Sequence, residues 1–560
     1  MSSTVSGNVS GNFSGDYAPP ADARRAASLL LLRDGEAGLE VLMLRRAERG
    51  ADPRSGAAVF PGGVLDAGDR DAHAFTLGPD DLQASAQLGL AVGGLDYLVA
   101  AVRETFEEVG LLLADGPVDL TALLPWRERL QQGSANVAAF CRATGLKLDL
   151  RGLVYFSHWL TPPGHPKRFD TRFFMALAPP GQEALADLGE AQDLMWLTPA
   201  QALAPERGLK LLPVTQRMLQ DLARHATADA ALRAARALTQ VPLIMPRRAM
   251  GAQGSRVVLP HEPPYAEVAR LDPDGRGDAH ANLLAGRAVR LSPHIVRITA
   301  PNPGPMTGPG TNTYLVGADQ SWTVIDPGPL SEAHLQAILA ALPGKLVQIL
   351  VTHTHKDHSP GAAALSAATG APVFGRVAAH AEWQDDTFAP ARELMDGERL
   401  LLADGVTLRV VHTPGHASNH LCYLLEEEYT LFTGDHVMQG STVVINPPDG
   451  DMQDYLASLS ALLDVALDWL APGHGFLVAE PHAVLRGLIA HRLKREAKVV
   501  AALQALRAAS VDELLKRVYD DVPAALHPMA RRSLLAHLLK LQADGAAGCN
   551  AEVWRASAGV

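Results

Sequence analysis

Hydrophobic and polar positions along residues 22–240 alternate between two periods, which predicts a domain that mixes strands with helices. Apolar runs of strand length lie at residues 28–33, 40–45, 152–160 and 173–178. Helix-like spacing of apolar positions lies at residues 97–108 and 214–223. We therefore expect an α/β or α+β fold for this part of the chain.

The pattern changes three times after residue 240. Residues 241–285 contain scattered Pro, Gly and Asp with little periodicity and are predicted to be a linker. In residues 286–481 short apolar strands again alternate with helices and Gly/Pro turns, and residues 482–560 become helical and rich in Ala, Leu and Arg. At the other end, the Ser/Gly/Asn content of residues 1–21 predicts a disordered tail.

Composition narrows the class of protein. A chain of 560 residues is too long for one hydrophobic core, so two to four domains are expected. The net charge of −12 excludes a protein whose whole surface binds nucleic acid but allows a local basic patch. The 3 cysteines are odd in number and far apart, which favours a reducing cytoplasm over a disulfide framework. No apolar run approaches the roughly 18 residues that span a bilayer, so we expect no membrane partner.

The strongest chemical signal follows the apolar run at residues 346–351. That run leads into THTHKDHSPG, which contains His353, His355, Asp357 and His358. Side chains at i and i+2 of a strand end project to the same side, so the first two histidines can bind one ion. After the chain turns, Asp357 and His358 can face a second metal ion. Further histidine and aspartate residues occur beside turn glycines at the ends of later apolar runs; these are His416, Asp435 and His474.

The motifs THTHKDH, TPGH, TGD and PGHG, in this order, resemble the metal-binding motifs of the metallo-β-lactamase superfamily. The resemblance implies an αββα sandwich with two zinc ions. The first zinc would be bound by His353, His355 and His416, and the second by Asp357, His358 and His474. Asp435 would bridge them, Asp357 would also be catalytic, and Asp326 would be the structural aspartate of the family. A bridging aspartate in place of cysteine favours phosphodiester or ester substrates, which a hydroxide held between the metals would attack.

Two flanking segments indicate a subgroup. APNPGPMTGPGTNTYLVG at residues 300–317 and the tail from residue 491 resemble the lactamase-β-like endoribonucleases, which lie near the glyoxalase II enzymes. Three helices, the middle one beginning with a capping box of Ser510 and Glu513, and a hairpin at about residues 545–555 predict a small winged-helix domain. Basic residues would give it local positive charge; they are Arg492, Lys494, Arg495, Arg531, Arg532 and Lys540. Cleavage of single-stranded RNA is the implied function, solvated helix faces are the plain alternative, and glyoxalase II-like thioester hydrolysis is the rival activity.

A second chemical signal lies in the N-terminal part, where a predicted helix contains VRETFEEVGLL. Glu104, Glu107 and Glu108 share one face of it, while apolar neighbours turn toward a core and Gly110 ends the helix. Three crowded carboxylates repel each other unless a cation is present, and their oxygens suit Mg²⁺ or Mn²⁺. An ordinary acidic helix face is the alternative.

Together with the upstream VFPGGVLDAGD, this helix resembles the Nudix box. The resemblance implies an α/β/α sandwich that hydrolyses a diphosphate linkage, with Gly62 and Gly63 as cofactor-binding residues, Arg103 orienting the acidic cluster, and the three glutamates binding metal or activating water. Asp69 replaces the usual first glutamate, and an insert at residues 70–102 lengthens the box. The insert and PKRFDTRFF resemble the coenzyme A-type subgroup, although its upstream signature fits poorly because the nearest arginine is Arg54. Glu190 is a weaker candidate for a further ligand or base.

These features predict a bifunctional metal-dependent hydrolase. The predicted order is a tail (1–21), a Nudix domain (22–240), a linker (241–285), a metallo-β-lactamase domain (286–481) and a winged-helix domain (482–560). The expected partners are a small-molecule diphosphate and single-stranded RNA. Two further hypotheses remain open: the Nudix half is a non-catalytic nucleotide sensor on a nucleic-acid-binding protein, or both sites act in turn on coenzyme A thioesters.

Overall fold

The computed structural model describes residues 18–47, 55–185, 191–403 and 405–557. These residues divide into two compact units. One, the N-terminal unit, comprises residues 18–248 and 274–276; the other, the C-terminal unit, comprises residues 249–273 and 277–557. No helix among the described residues is both long enough and apolar enough for a bilayer crossing.

The N-terminal unit alternates strands and helices, as its apolar pattern predicts. Its strands are β1 (Ala23–Gly35), β2 (Gly38–Arg46), β3 (Ala57–Val59), β4 (Gly62–Val64), β5 (Thr76–Leu77), β6 (Leu148–Asp149), β7 (Val154–Leu160), β8 (Arg168–Leu177), β9 (Ala191–Leu197), β10 (Lys210–Leu211) and β11 (Leu243–Ile244). Its helices are α1 (Ala67–Asp71), α2 (Asp81–Leu88), α3 (Gly94–Val109), α4 (Leu120–Gln131), α5 (Val137–Thr144), α6 (Pro199–Leu203), α7 (Pro213–Leu222) and α8 (Ala228–Arg236).

A mixed sheet forms the centre of this unit, in the order β10-β3-β2-β1-β8-β7-β11. β1 pairs in parallel with β8 and antiparallel with β4, so β4 is a further strand of the same sheet. Alternate residues of β1, Leu29 and Leu31, pack in one core with α3. Helix α3 buries Val102, Phe106 and Val109 and ends at Gly110 with a φ of 73°, so the predicted core-facing positions and the predicted helix end are confirmed.

The C-terminal unit contains two larger sheets. The first has the order of its sequence, β14 (Ala288–Ser292), β15 (Ile295–Thr299), β16 (Asn312–Ala318), β17 (Ser321–Ile325), β18 (Lys345–Leu350), β19 (Val373–Gly375) and β20 (Arg392–Glu393). The second has the order β21 (Arg399–Ala403), β22 (Val406–His412), β23 (Leu421–Leu425), β24 (Thr430–Gly434), β25 (Trp469–Pro472) and β26 (Val478–Ala479). Helices α10 (Glu332–Ala341), α11 (Gly361–Thr369) and α12 (Met452–Ala461) are interleaved with these strands.

Successive residues along the strands are buried on opposite faces of each sheet, and this explains how the elements form four layers. On β16, Tyr314 and Val316 enter the core shared with the second sheet, whereas Leu315 enters the core shared with Ile338 of α10. On β23, Tyr423 likewise faces the shared core, and its neighbours pack on the side of α12. Both sheets are buried on both faces, and the arrangement is helix, sheet, sheet, helix.

The last part of the chain forms a small helical domain with its own core. Its elements are α13 (Pro481–Leu506), α14 (Val511–Val518), α15 (His527–Ala543) and the hairpin β27 (Ala547–Asn550) and β28 (Val553–Ala556). Leu503, Leu514, Leu534 and Trp554 pack together in that core. The capping box of Ser510 that the sequence predicts is present at the start of α14.

The predicted linker contains regular structure in its middle. It includes the antiparallel strands β12 (Arg247–Gly251) and β13 (Gly254–Val258) and the helix α9 (Tyr265–Leu271). Glu267 on α9 and Arg297 on β15 are both buried, with 1% and 2% of their surface exposed. They form an ion pair in which Nη1 of Arg297 lies 2.5 Å from Oε2 of Glu267. The same carboxylate accepts from the amide N–H of Leu477. Residues 249–273 therefore form an integral part of the C-terminal unit.

Candidate metal centres

The histidines and aspartates of the predicted zinc site follow strand ends on both sheets of the C-terminal unit. Residues 353–358 follow β18, His416 lies between β22 and β23, Asp435 follows β24 and His474 follows β25. Because these strands end at one edge of the sandwich, loops distant in sequence converge there. The structure brings all seven predicted ligands together in two groups.

The first group consists of three imidazoles. Nε2 of His353 lies 3.0 Å from Nδ1 of His355, and Nε2 of His416 lies 3.1 Å from the same atom. Burial, followed by the neighbouring histidines, lowers the pKa of His353 well below its usual value and that of His355 to about 3. At neutral pH these two rings are uncharged, as a metal ligand must be.

The second group alternates imidazoles with carboxylates. Oδ1 of Asp435 lies 3.3 Å from Nε2 of both His358 and His474, and Oδ2 of Asp357 lies 3.3 Å from Nε2 of His474. The other oxygen of Asp435 lies 3.8 Å from Nε2 of His416, so this carboxylate faces both groups. Asp435 Oδ1 and both Nε2 atoms are buried and make no hydrogen bond among the described residues. Buried polar atoms that converge without hydrogen bonds indicate a cation site.

In the absence of a metal ion, the carboxylates of the second group favour the protonated form of its histidines. Burial disfavours the imidazolium of His474, but Asp435 and Asp357 outweigh it and raise the pKa of His474 to about 9. The pKa of His358 is raised well above its usual value for the same reason, against burial. The two imidazoles in turn hold the pKa of Asp435 well below its usual range, although burial acts to raise it.

His358 and His416 present their ligand atoms because the other nitrogen of each ring has a partner. Nδ1 of His358 lies 2.8 Å from Oδ2 of Asp326, and Nδ1 of His416 lies 2.8 Å from the carbonyl oxygen of Val444. Asp326, which follows β17, also accepts from the amide and hydroxyl of Thr352 at 2.7 Å each. Partners of this kind fix ring orientation in metal sites.

The acidic cluster of the N-terminal unit is organised by one arginine. Nη1 of Arg103 donates to Glu104 at 2.9 Å and to Glu107 at 3.3 Å, and its Nε donates to Asp69 at 2.7 Å. Asp69 is fully buried, so it anchors Arg103 and does not face solvent. Glu108 accepts from the amide of Gly62 at 2.8 Å.

Gly62 and Gly63 on β4 allow the carboxylates to approach the backbone. A Cβ on Gly63 would lie 2.4 Å from the carboxyl carbon of Glu104, and Gly62 has a φ of 154°. No other residue type fits here without displacing the cluster. Burial, partly offset by Arg103, raises the pKa of Glu104 to about 7 and also raises the pKa of Glu107. Glu190 and Arg54 lie outside the described residues.

Three segments of the chain match known protein families, and two of these segments contain residues of the two clusters. Residues 306–474 match the metallo-beta-lactamase superfamily, residues 83–207 the NUDT19 Nudix domain and residues 510–554 the beta-lactamase associated winged helix domain. An atrochrysone carboxyl ACP thioesterase of Aspergillus chevalieri is 33% identical over 46% of this chain and 83% of its own length. The chain belongs to the metallo-β-lactamase superfamily.

Further matches cover the same two parts of this superfamily member. The Drosophila melanogaster beta-lactamase-like protein 2 homolog is 32% identical over 47% of this chain and 92% of its own length. The crystal structure of a NUDIX hydrolase from Alicyclobacillus acidocaldarius is 29% identical, covers 38% of this chain and 96% of that one, and has a TM-score of 0.33. The protein is a hydrolase with Nudix, metallo-β-lactamase and winged-helix domains in that order, and both hydrolase domain types imply divalent metal binding.

The metal ligands of the lactamase domain open into a cavity of about 1800 Å³. Its walls come from the lactamase loops, from residues 260–266 of the predicted linker, and from α13 and α15 of the winged-helix domain. Flexible apolar side chains contribute to the lining, among them Met306, Met438, Leu526 and Met529. The volume exceeds the several hundred Å³ of a pocket for a compact small molecule, so the cavity suits a long substrate.

The basic residues of the winged-helix domain are largely paired. Arg495 donates to Asp521, Arg531 to Asp512 and Lys540 to both Glu496 and Asp544. Arg492 is buried and donates to the carbonyl oxygen of Val443. The positive patch that the sequence suggests is therefore much weaker in the folded domain, because each of these cations has an acceptor within the protein.

Sequence reasoning missed two buried histidines beside the centre. The ring of His420 stacks on that of His353 at 5.0 Å between centroids, and His436 packs 5.0 Å from the ring of Tyr455. Burial lowers the pKa of both histidines. The sequence carries a signal for them, because each follows a ligand loop within four residues, as SNH after TPGHA and as the last residue of TGDH.

Proposed function

We propose that the lactamase domain is a dinuclear zinc thioesterase that acts on phosphopantetheine-linked acyl groups. The large cavity that opens at the metal ligands, with methionine and leucine side chains in its wall, carries this proposal. A flexible acyl thioester can fill such a cavity, whereas RNA needs unpaired cations along its phosphates. The thioesterase name of the Aspergillus relative adds support.

Zinc is proposed from the ligand set and its spacing. A tetrahedral ion with bonds of about 2.0–2.1 Å holds its ligand atoms roughly 3.3 Å apart. The contacts of Asp435 with His358 and His474 have that spacing. Imidazole and carboxylate are the ligands that zinc accepts. Two bound ions would activate water and polarise the carbonyl group, so that the carbon–sulfur bond is replaced by a carbon–oxygen bond and the thiol leaves with a proton.

For the Nudix domain we propose Mg²⁺- or Mn²⁺-dependent cleavage of the diphosphate in coenzyme A or a related nucleoside diphosphate derivative. Glu104, Glu107 and Glu108 supply the anionic oxygens that a hard cation prefers. Arg103 holds two of those carboxylates on one side of α3, which supports a catalytic site over a non-catalytic nucleotide sensor. Both domains would then act on the same class of substrate.

Cleavage of single-stranded RNA by the lactamase domain is the second candidate. The winged-helix domain favours it, because Lys356 at the cavity and residues of that domain offer some positive charge near the ligands. The pairing of Arg495, Arg531 and Lys540 with acidic residues weighs against it.

One experiment separates these activities in the full chain. Purified protein is incubated with an acyl-coenzyme A or with a short oligoribonucleotide, with zinc and magnesium varied independently, and products are identified by mass spectrometry. The proposal expects free acid and thiol from the lactamase site, and acyl-phosphopantetheine plus adenosine 3′,5′-bisphosphate from the Nudix site. Zinc-dependent cleavage of the oligoribonucleotide without cleavage of the thioester would overturn the thioesterase proposal in favour of RNA cleavage.

A further inference from the structure

A tryptophan and an arginine face each other in the wall of the lactamase cavity. Trp383 is 55% exposed, and Cζ of Arg532 on α15 lies 5.2 Å from its ring centroid. Both side chains line the same cavity as His355 and Asp435. The lactamase domain and the winged-helix domain therefore each contribute one side chain to this pair.

The backbone holds Trp383 in an unusual conformation. Its φ is 71°, in the left-handed region that a bulky side chain rarely adopts. The next residue, Gln384, forms an isolated antiparallel β-bridge with His355. Its side-chain amide donates to the carboxylate of Asp449 at 2.9 Å. Strain that is fixed by such surroundings is typical of ligand-binding positions, and here it presents an indole ring to the cavity.

Arg532 differs from the other basic residues of its domain in its partner. Its neighbour Arg531 donates to Asp512 at 2.9 Å, whereas no carboxylate of the described residues forms an ion pair with Arg532. A guanidinium that stacks on an aromatic ring keeps its N–H edge available for a phosphate. The pair thus offers an anion a flat, partly desolvated binding site.

We propose that Trp383 and Arg532 bind the phosphate of the phosphopantetheine arm. This inference rests on the proposed thioesterase function. A phosphopantetheine thioester has a reactive carbonyl at one end of a flexible chain and a phosphate at the other. The cavity has the matching chemistry, with metal ligands at one place and an unpaired cation at another. The winged-helix domain then serves substrate recognition in the lactamase site.

The test measures binding and therefore does not depend on turnover. Calorimetry on the full chain compares 4′-phosphopantetheine, pantetheine and inorganic phosphate. We expect at least about tenfold tighter binding of 4′-phosphopantetheine than of pantetheine, because the phosphate gains a charge-assisted contact. Arg532→Gln should abolish that preference and Trp383→Leu should reduce it. Arg531→Gln is the matched control on the same helix and should keep the preference.

A wild-type protein without the preference, or an Arg532→Gln protein that retains it, would overturn the proposal. So would an Arg532→Gln protein that loses affinity only for a short oligoribonucleotide, since the pair would then bind RNA. If the preference depends on Arg532 but no thioester is hydrolysed, the phosphate subsite stands and the thioesterase function fails. Circular dichroism of each variant verifies that it is folded.

Discussion

The lactamase centre and the Nudix cluster both crowd ionisable side chains together, but they balance charge by different means. In the lactamase centre, imidazoles lie between carboxylates, and Asp357 and Asp435 raise the pKa values of His358 and His474. In the Nudix cluster, a permanently charged Arg103 lies among acidic groups that lie mainly on one helix. The lactamase centre can exchange protons for metal, whereas the Nudix cluster keeps its internal cation.

The two sites also differ in the elements that supply their ligands. Four separate strand ends supply the lactamase ligands, and the buried carboxylate of Asp326 orients the ring of His358. The Nudix carboxylates project from α3 alone, and Glu104 holds a proton near neutral pH in the absence of metal. We therefore expect tighter metal binding in the lactamase domain than in the Nudix domain, with release of protons at both sites.

The largest expected effect is that of Asp435→Ala. This carboxylate lies between the two ligand groups, so its loss should remove a ligand from each. Hydrolysis at the lactamase site should fall at least about a thousandfold, equivalent to roughly 4 kcal/mol, while diphosphate hydrolysis stays constant. Rates on both substrates and elemental analysis test this. A folded variant with its full metal content and rate would show that Asp435 is not a ligand.

Next in size is the double change Glu107→Gln and Glu108→Gln. It nearly preserves side-chain size but removes the anionic oxygens, so diphosphate hydrolysis should fall at least about a hundredfold, on the order of 3 kcal/mol. The lactamase rate should not change. Glu128→Gln, on the exposed face of α4, is the matched control. Loss of lactamase activity in a folded double variant would refute the independence of the two sites.

A smaller effect is expected for Asp326→Asn. Its carboxylate accepts from Thr352 and orients His358, and partners of this kind contribute about tenfold or more to metal affinity. Titration against a metal-buffering chelator should show about tenfold weaker binding with the fold retained. Unchanged affinity would mean that burial alone orients the His358 ring.

The smallest effect concerns pH. Because burial raises the pKa of Glu104 to about 7, folded metal-free protein retains a proton there that the unfolded chain releases at about pH 4.5. Stability of the Nudix unit should therefore fall as pH rises, by about 1 kcal/mol between pH 6 and pH 8. Hydrogen exchange of α3 in the full chain measures it, and Glu104→Gln should reduce the slope and leave the part that comes from the raised pKa of Glu107. A wild-type unit that becomes more stable over this range would contradict the raised pKa.

Local patterns predicted the elements and the metal-binding motifs of this protein. Residues 353–358 follow an apolar run, and that spacing alone suggests two groups of ligands. The burial of Val102 and Phe106 on α3 follows equally from helical periodicity. Such features depend on neighbours within one strand or one turn, so they can be inferred from a single sequence.

Features that depend on distant partners could not be predicted in this way. Arg495 is neutralised by Asp521, 26 positions away, so counting positive charges overestimated the basic patch. The Trp383 and Arg532 pair joins residues of two domains, and only the folded chain brings them together. Periodicity describes which face of an element is buried, but it does not name the partner.

The buried ion pair of Glu267 and Arg297 has a consequence for the inheritance of this architecture. A gene fragment that starts at residue 286, where the lactamase motifs begin, would encode Arg297 without its counter-ion. An isolated charge in a core costs about 3–5 kcal/mol, a large part of the stability of a domain. Recombination that exchanges the lactamase half would therefore keep this ion pair only with a breakpoint upstream of α9, so that α9 is inherited together with the lactamase domain.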